Sequence, residues 1–256
     1  MKIVIIGSGN VAWHLTEVLQ KAGNTIIQIY SRTLENAKLL ADKLHVKNYT
    51  ETIAAIDREA DLYILCTRDN VIESVAQSLK DVSGIVTHTS GSTPMQIFEG
   101  KVKRFGVFYP FQTFSKSKEI DFKVIPMCIE GADDAISTQL IHLAQQISDN
   151  VACIDSQQRL WLHLTAIYTN NFANHLCHIS QDLLEKQSIP KHFLNPLIEE
   201  TFEKIKIITP FDAQTGPAKR NDGLTIAKHL ELLAPFKTYQ SIYKNITESI
   251  IETYNQ

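Results

Sequence analysis

Residues 2–12 read KIVIIGSGNVA, an apolar run that leads directly into a glycine-rich turn. The last six of these residues fit the pattern G-x-G-x-x-G/A, which is a weak signal when it stands alone. Here it follows a predicted strand and opens a predicted amphipathic helix, as a dinucleotide-binding βαβ unit requires. A tight strand–helix turn without a ligand is the alternative. The segment favours a Rossmann-type domain in the first half of the chain.

The residue types of this turn suit the close approach of a phosphate. Gly7 permits the tight turn, Gly9 lets the backbone come close to a pyrophosphate, and a small residue at position 12 keeps the helix near the sheet. Free N–H groups at the helix N-terminus then face the negative charge. We predict that the loop that binds the cofactor consists of Gly7, Ser8, Gly9, Asn10 and Val11.

The end of the second predicted strand indicates which dinucleotide binds. NAD-binding domains usually place Asp or Glu here to hold the ribose 2′-hydroxyl, and this chain has Ser31, Arg32 and Thr33 instead. A guanidinium and two hydroxyls suit a 2′-phosphate through charge-assisted hydrogen bonds. A solvated arginine at a strand end is the alternative. We therefore predict NADP(H) as the cofactor, in preference to NAD.

The pattern along the chain changes near residue 155. Before it, short β-rich runs alternate with amphipathic stretches, which predicts a parallel sheet with helices on both faces. The predicted strands are 2–6, 25–30, 62–67, 84–89, 104–109 and 124–130, and the predicted helices are 10–20, 34–44, 70–80 and 133–147. The later part is helical, with helices at about 156–187, 191–207, 222–233 and 236–254 and a loop at 209–217. The expected fold class is an α/β Rossmann-type parallel-sheet domain (1–153) followed by an all-α domain (154–256), with a cleft between them.

Two further predicted strands end in polar residues at the edge where ligands gather in α/β sheets. Thr67 follows the strand at 62–67 and is expected to lie along the cofactor. His88, Ser90 and Gly91 belong to the end of the next strand and the turn after it, and we predict that all three bind the cofactor, with the nicotinamide near Ser90 and Gly91. His88 suits two roles equally well, that of a general acid and that of a hydrogen-bonded structural residue.

The long predicted helix carries polar residues among apolar ones. At 100° per residue, His163, Asn170 and Asn174 share one side, with Asn171 some 80° away. Buried amides need partners, which another helix or a substrate could supply. His175 and its neighbour three residues on have a spacing that metal ligands use, but the sequence offers no carboxylate or cysteine pair to complete a site. We predict no metal site.

Composition excludes several classes of protein. With 44% hydrophobic and 21% charged residues the chain is typical of a globular protein, and its net charge of −3 provides no basic field for nucleic acid. It contains no apolar run long enough for a membrane span and no signal peptide. The four scattered cysteines predict reduced thiols and a cytoplasmic location.

Several segments together resemble a known family. They are GSGNVA at 7–12, HTSG at 88–91, YPFQTF at 109–114, His163 followed eight residues later by Asn171, and QTGPAKRND at 214–222. The chain resembles bacterial proteins that combine a Rossmann-like domain with the domain of unknown function DUF2520. These are similar to pyrroline-5-carboxylate reductase and the F420-dependent NADP reductases of the 6-phosphogluconate dehydrogenase superfamily. The resemblance implies a helical C-terminal domain that forms a homodimer. Dehydrogenase relatives carry a lysine where this chain has His163, which argues against hydroxyacid dehydrogenation.

The resulting hypothesis is an NADP(H)-dependent oxidoreductase that reduces a small imine or carbonyl in the interdomain cleft. Its predicted catalytic residues are His163 as proton donor, Asn171 to orient the substrate, Ser90 beside the nicotinamide and Arg220 to bind an anionic group. An ion pair with Asp222 is the alternative for Arg220, and packing is the expected role of Tyr109. A sensor that binds NADP(H) without chemistry is the rival function. F420 as redox partner is a third hypothesis.

Overall fold

The six strands predicted from the sequence and two short further strands form one sheet of eight strands in the computed structural model, which describes residues 1–254. The strands are β1 (Lys2–Ile6), β2 (Thr25–Tyr30), β3 (Tyr49–Thr50), β4 (Leu62–Leu65), β5 (Ile85–His88), β6 (Phe105–Pro110), β7 (Met127–Gly131) and β8 (Val151–Cys153). Their order in the sheet is β3-β2-β1-β4-β5-β6-β7-β8. The chain therefore reverses its direction of travel across the sheet between β1 and β4, and ligands bind outside such switch points.

The sheet is not parallel throughout, which corrects the prediction. β7 runs antiparallel to β6, with Tyr109 opposite Cys128, whereas every other neighbouring pair is parallel. A parallel pair needs a crossover connection, usually a helix. The chain between β6 and β7 contains only a short 3-10 turn, Phe122–Val124, so it turns back instead. Strands β3 and β8 escaped prediction because runs of two and three residues carry no periodic signal.

The helices follow the predicted positions closely. They are α1 (Asn10–Lys21), α2 (Leu34–Leu44), α3 (Asp69–Ser78), α4 (Asp134–Gln145), α5 (Ser156–Ala166), α6 (Ala173–Lys186), α7 (Asn195–Ile207), α8 (Pro210–Ala213), α9 (Gly223–Leu232) and α10 (Lys237–Tyr254). The short α8 lies within the stretch predicted as a loop. Alternate β1 residues belong to two separate apolar clusters, Ile3 and Ile5 to one, Val4 and Ile6 to the other. The continuous apolar run of β1 thus reflects burial of both faces of the sheet.

The long predicted helix is interrupted in its middle. α5 begins with a capping box between Asp155 and Gln158, and a π-helical turn, Ile167–Phe172, separates α5 from α6. The predicted angles between His163 and the asparagines assumed a uniform 100° per residue. A π-turn changes this spacing. The prediction that His163, Asn170 and Asn174 share one side of the helix therefore does not hold across the π-turn at residues 167–172.

The chain forms two compact units. The first is Met1–Asn170 and the second begins at Asn171. The first unit therefore extends past the last strand to include α5, and a fully buried residue of α5, Arg159, bonds to β7. The domain limits 1–153 and 154–256 rest on the change from strands to helices and stay a prediction. The second unit consists of α6 to α10.

Candidate functional site

A pocket of about 530 Å³ lies at the carboxyl ends of β1, β2 and β4. Its wall includes eight residues that were predicted to bind the cofactor: Gly7, Ser8, Gly9, Asn10, Ser31, Arg32, Thr33 and Thr67. Gly7 has φ of +120°, and a Cβ there would lie 2.3 Å from the carbonyl oxygen of Cys66. Gly7 is thus required by its backbone and by the close approach of β4. A Cβ on Gly9 would face open space, so the surface at Gly9 is free for a ligand.

The polar groups of this pocket fit a dinucleotide. Gly9 is the N-cap of α1 and no side chain caps the helix, so the first N–H groups of α1 are left for a phosphate. The hydroxyl of Ser8 donates to the hydroxyl of Ser31 over 2.8 Å, which ties the glycine loop to the end of β2. The hydroxyl oxygen of Thr67 is buried and has no hydrogen-bond partner among the described residues. Such a group is usually satisfied by a ligand or water.

The charges of the pocket favour a polyanion. Arg32, Arg68 and Lys116 line it, and none of the described lining residues is acidic. Arg32 with its neighbouring hydroxyls matches the predicted 2′-phosphate site. Arg68 and Lys116 were not among the residues predicted to bind the cofactor. The position of Arg68 directly after Thr67 at a strand end was a usable signal, whereas Lys116 lies far from the glycine loop in the chain and offered none.

The loop after β5 is stabilised by its own side chains. The Ser90 hydroxyl donates to Thr93 over 2.9 Å and accepts from the backbone N–H groups of Ser92 and Thr93. The Ser90 N–H donates to Nδ1 of His88, which is fully buried against Phe98. Burial, followed by the charge of a nearby arginine, lowers the pKa of His88 to about 3. The Ser90 hydroxyl is thus bonded within its own loop, whereas the buried Nε2 of His88 has no hydrogen-bond partner among the described residues. A neutral, buried His88 is unsuited to general acid catalysis.

Two side chains meet at Gly91, the next residue of this loop. A Cβ on Gly91 would lie 2.7 Å from Nδ1 of His163 and 2.9 Å from the hydroxyl of Tyr109. A larger residue at position 91 would therefore force the side chain of His163 or Tyr109 to shift. Burial raises the pKa of Tyr109 to about 12, so the phenol keeps its proton at neutral pH. The structure brings together Gly91 and His163 as predicted, and adds Tyr109, for which only packing was expected.

A buried ion pair anchors α5 beside this loop. Nη1 of Arg159 lies 2.5 Å from Glu130 of β7, and its Nη2 donates to the Thr93 carbonyl over 2.7 Å. Ser156, at the start of α5, donates to the Glu130 carboxylate and accepts from the N–H of Met95. These bonds join α5, β7 and the loop after β5. Because His163 lies one turn beyond Arg159, the network also sets the position of His163.

The three remaining predicted residues are Val11, Asn171 and Arg220. Val11 packs against the apolar cluster that contains Ile3, and it does not line the pocket. Asn171 begins the second unit, and Arg220 is exposed there. Arg220 forms no ion pair within residues 1–254, and Asp222 instead caps α9 by accepting from the N–H of Thr225. Hydrogen bonds from the Thr225 N–H and hydroxyl hold the pKa of Asp222 below its usual value.

Comparison with known proteins assigns the chain to a family. Residues 2–87 match the family described as NADP oxidoreductase coenzyme F420-dependent, and residues 125–250 match DUF2520. The crystal structure of the "putative NADP oxidoreductase BF3122" from Bacteroides fragilis is 40% identical to the chain, covers 98% of both chains and gives a TM-score of 0.93. The chain belongs to this NADP oxidoreductase family. The predicted family, the Rossmann-type fold with a helical C-terminal part and NADP(H) as cofactor are confirmed.

More distant structures share the fold alone. TM1727 from Thermotoga maritima is 20% identical over 99% of this chain and 100% of its own, with a TM-score of 0.74. A 1-pyrroline-5-carboxylate reductase from Streptococcus pyogenes is 16% identical over 98% of both chains, with a TM-score of 0.63. No curated protein sequence matches the chain.

Proposed function

We propose that this NADP oxidoreductase reduces a small imine or carbonyl compound beside Gly91. The observation that carries the proposal is the approach of His163 and Tyr109 to Gly91. Gly91 follows β5, which pairs with β4, and the residues after β4 line the dinucleotide pocket. Two potential proton donors therefore lie at the sheet edge that holds the cofactor, as a reductase requires.

For this reaction the protein has to position the cofactor and the substrate and to supply one proton. NADPH, when bound, would supply a hydride to the carbon of the C=N or C=O group. His163 is proposed to donate the proton that the nitrogen or oxygen then needs, and water restores the donor. Tyr109 holds its proton at neutral pH because burial raises its pKa to about 12. Asn171 is proposed to orient the substrate and Arg220 to bind an anionic group on it, as the sequence suggested, whereas Ser90 contributes through the shape of the loop.

The test is NADPH oxidation with a panel of small imines and keto acids, with F420 included because the matched family description names it. We expect slow turnover with at least one compound, and its loss in His163→Ala with NADPH affinity unchanged. His142→Ala, an exposed histidine of α4, is the matched control and should keep full activity. Full activity of His163→Ala would show that His163 is not the proton donor. Tight NADPH binding without turnover of any compound would favour the rival function, a sensor that binds NADP(H) without chemistry.

Arg32 is proposed to select NADPH over NADH. Hydrogen bonds to a charged group contribute about 1.5–3 kcal/mol, so Arg32→Ala should weaken NADPH binding by roughly tenfold or more. NADH binding should hardly change, because NADH lacks the 2′-phosphate. Calorimetric titration of both cofactors measures the difference. Equal losses for the two cofactors would place Arg32 away from the 2′-phosphate.

We also propose that the chain forms a homodimer through its second unit. Ile207, Leu224 and Leu232 are 84, 82 and 73% exposed, and the buried residues of this unit within the described chain are Ile179, Ala218 and Thr247. Apolar faces this open are normally covered by a partner. Sedimentation should give a dimer that dissociates in Leu224→Glu and persists in Leu39→Glu, an exposed leucine of α2. A monomeric wild-type protein would contradict the proposal.

A cytoplasmic location is proposed from the thiols. All four cysteines are free. No helix within residues 1–254 is both long enough and apolar enough to cross a membrane. Reduced thiols are the rule in the cytosol, where a reductase would also meet NADPH. Fractionation of cells that express a tagged chain would test this location.

A further inference from the structure

We propose that Lys116, from the segment between β6 and β7, binds the pyrophosphate of the dinucleotide. This inference rests on the cofactor pocket and not on the reaction proposed above. Lys116 lines that pocket together with the glycine loop, although more than a hundred residues separate the two in the chain. The pocket thus obtains a cation from a segment outside the βαβ unit.

Two hydrogen bonds hold this segment against α1. Nδ2 of Asn10 donates to the carbonyl oxygen of Phe114 over 2.8 Å, and Nε2 of His14 lies 2.8 Å from the carbonyl oxygen of Ser115. Asn10 and His14 are one helical turn apart at the start of α1. Residues 114 and 115 are therefore fixed beside the helix N-terminus, where the pyrophosphate of a dinucleotide binds in this fold. Lys116 is the next residue.

The ammonium group of Lys116 has no carboxylate partner among the described residues. It lies 4.8 Å from the ring centroid of Trp13, which also has Lys43 over it at 4.4 Å. The two lysines differ, because Lys43 forms a salt bridge with Glu17. Lys43 thus has a carboxylate partner, which it shares with Lys21, whereas Lys116 stands on a flexible stem at the pocket wall without one among the described residues. A cation in this position attracts a phosphate by charge.

The pocket then assigns different phosphates to different residues. Arg32, just after β2, is expected to bind the 2′-phosphate. Lys116, which lies beside the start of α1, is expected to bind the pyrophosphate. Loss of Lys116 should therefore weaken NADP and NAD alike, in contrast to loss of Arg32. The two effects should add, because the residues share no partner.

Two fragments of the cofactor separate these contributions. ADP-ribose carries the pyrophosphate without the 2′-phosphate, and adenosine 2′-monophosphate carries the 2′-phosphate without the pyrophosphate. For the full chain, Lys116→Met should weaken ADP-ribose binding by about tenfold and change adenosine 2′-monophosphate binding by less than about twofold. Arg32→Met should do the reverse. Lys118→Met is the matched control, because Lys118 is exposed on the same segment but does not line the pocket, and it should change neither affinity.

Trp13 provides a second readout. Trp161→Phe leaves Trp13 as the sole tryptophan of the chain. If Lys116 moves from the indole to the pyrophosphate, ADP-ribose should change the Trp13 emission, and Lys116→Met should abolish this change. Unaltered ADP-ribose affinity in Lys116→Met, while Arg32→Met behaves as expected, would overturn the inference and leave the cofactor proposal intact. Failure of the wild-type chain to bind either fragment or NADPH would overturn both.

Discussion

The anchoring of α5 by the buried pair of Arg159 and Glu130 can be tested quantitatively. Arg159 is fully buried and the Glu130 side chain is 12% exposed. Removal of one member of such a pair leaves an uncompensated charge, which costs about 3–5 kcal/mol. Glu130→Met should therefore destabilise the protein by about that amount. The matched change Glu73→Met, in an exposed pair with Lys101, should cost less than about 1 kcal/mol.

The double variant distinguishes charge from shape. Methionine at both positions of the pair retains most of the volume and removes both charges. The main losses are then the hydrogen bonds from Arg159 to the Thr93 carbonyl and from Ser156 to Glu130, about 1.5–3 kcal/mol each because each has a charged partner. The removed cost of burying two charges offsets much of this loss. We therefore expect the double variant to lose about 2 kcal/mol and to be more stable than Glu130→Met alone.

Urea denaturation followed by circular dichroism measures these differences. With a slope of about 3 kcal/mol per molar urea, a loss of 3–5 kcal/mol lowers the midpoint by about 1 M or more. The double variant should recover part of this shift. If Glu130→Met loses no more than Glu73→Met, the pair is hydrated and the assigned anchor of α5 is incorrect. Equal stability of Glu130→Met and the double variant would mean that the two charges do not interact.

Three further predictions concern the first unit. Gly91→Ala should abolish NADPH oxidation and leave cofactor affinity intact, because its Cβ would displace His163; retained turnover would contradict the site geometry. Hydrogen bonds from two lysines lower the pKa of Glu17 from 4.5 to about 2. The stability that these bonds give the folded protein is therefore fully present above pH 4.5 and is lost as the pH falls towards 2. Melting temperatures of wild type and Glu17→Gln should hence converge at low pH, and a constant gap would refute this. Burial raises the pKa of Cys66 to about 12, so a thiol reagent at pH 8 should label exposed Cys153 rapidly and partly buried Cys66 much more slowly, as mass spectrometry of the digested protein would show; equal labelling rates would contradict this.

The sequence predicted the dinucleotide half of this protein well for a local reason. The apolar run of β1, the turn at Gly7 and Gly9 and the helix behind it are encoded within about a dozen neighbouring residues, and their geometry depends little on the remaining chain. The ends of β1 and β2 agree with the prediction. The same local logic located Arg32, which lines the pocket.

Other features depend on which segments meet in space. The direction of β7 follows from the path of the chain after β6, and a strand's own pattern does not encode its direction relative to a neighbour. The π-turn Ile167–Phe172 interrupts a helix whose apolar pattern is continuous. The hydrogen bonds that the Ser90 hydroxyl accepts within its own loop were not foreseen, because only the folded backbone brings these groups together.

What the sequence determined by itself is therefore the glycine loop, the basic residue after β2 that lines the pocket, and the order of strands and helices, since these arise from contacts between residues close in the chain. Only the tertiary structure decided that Lys116 lines the same pocket as the glycine loop, that Arg159 is buried against Glu130, and that Tyr109 and His163 both approach Gly91. These contacts join segments that are 18 to more than a hundred residues apart. Their formation depends on the packing of whole strands and helices, which the pattern of a single segment does not contain.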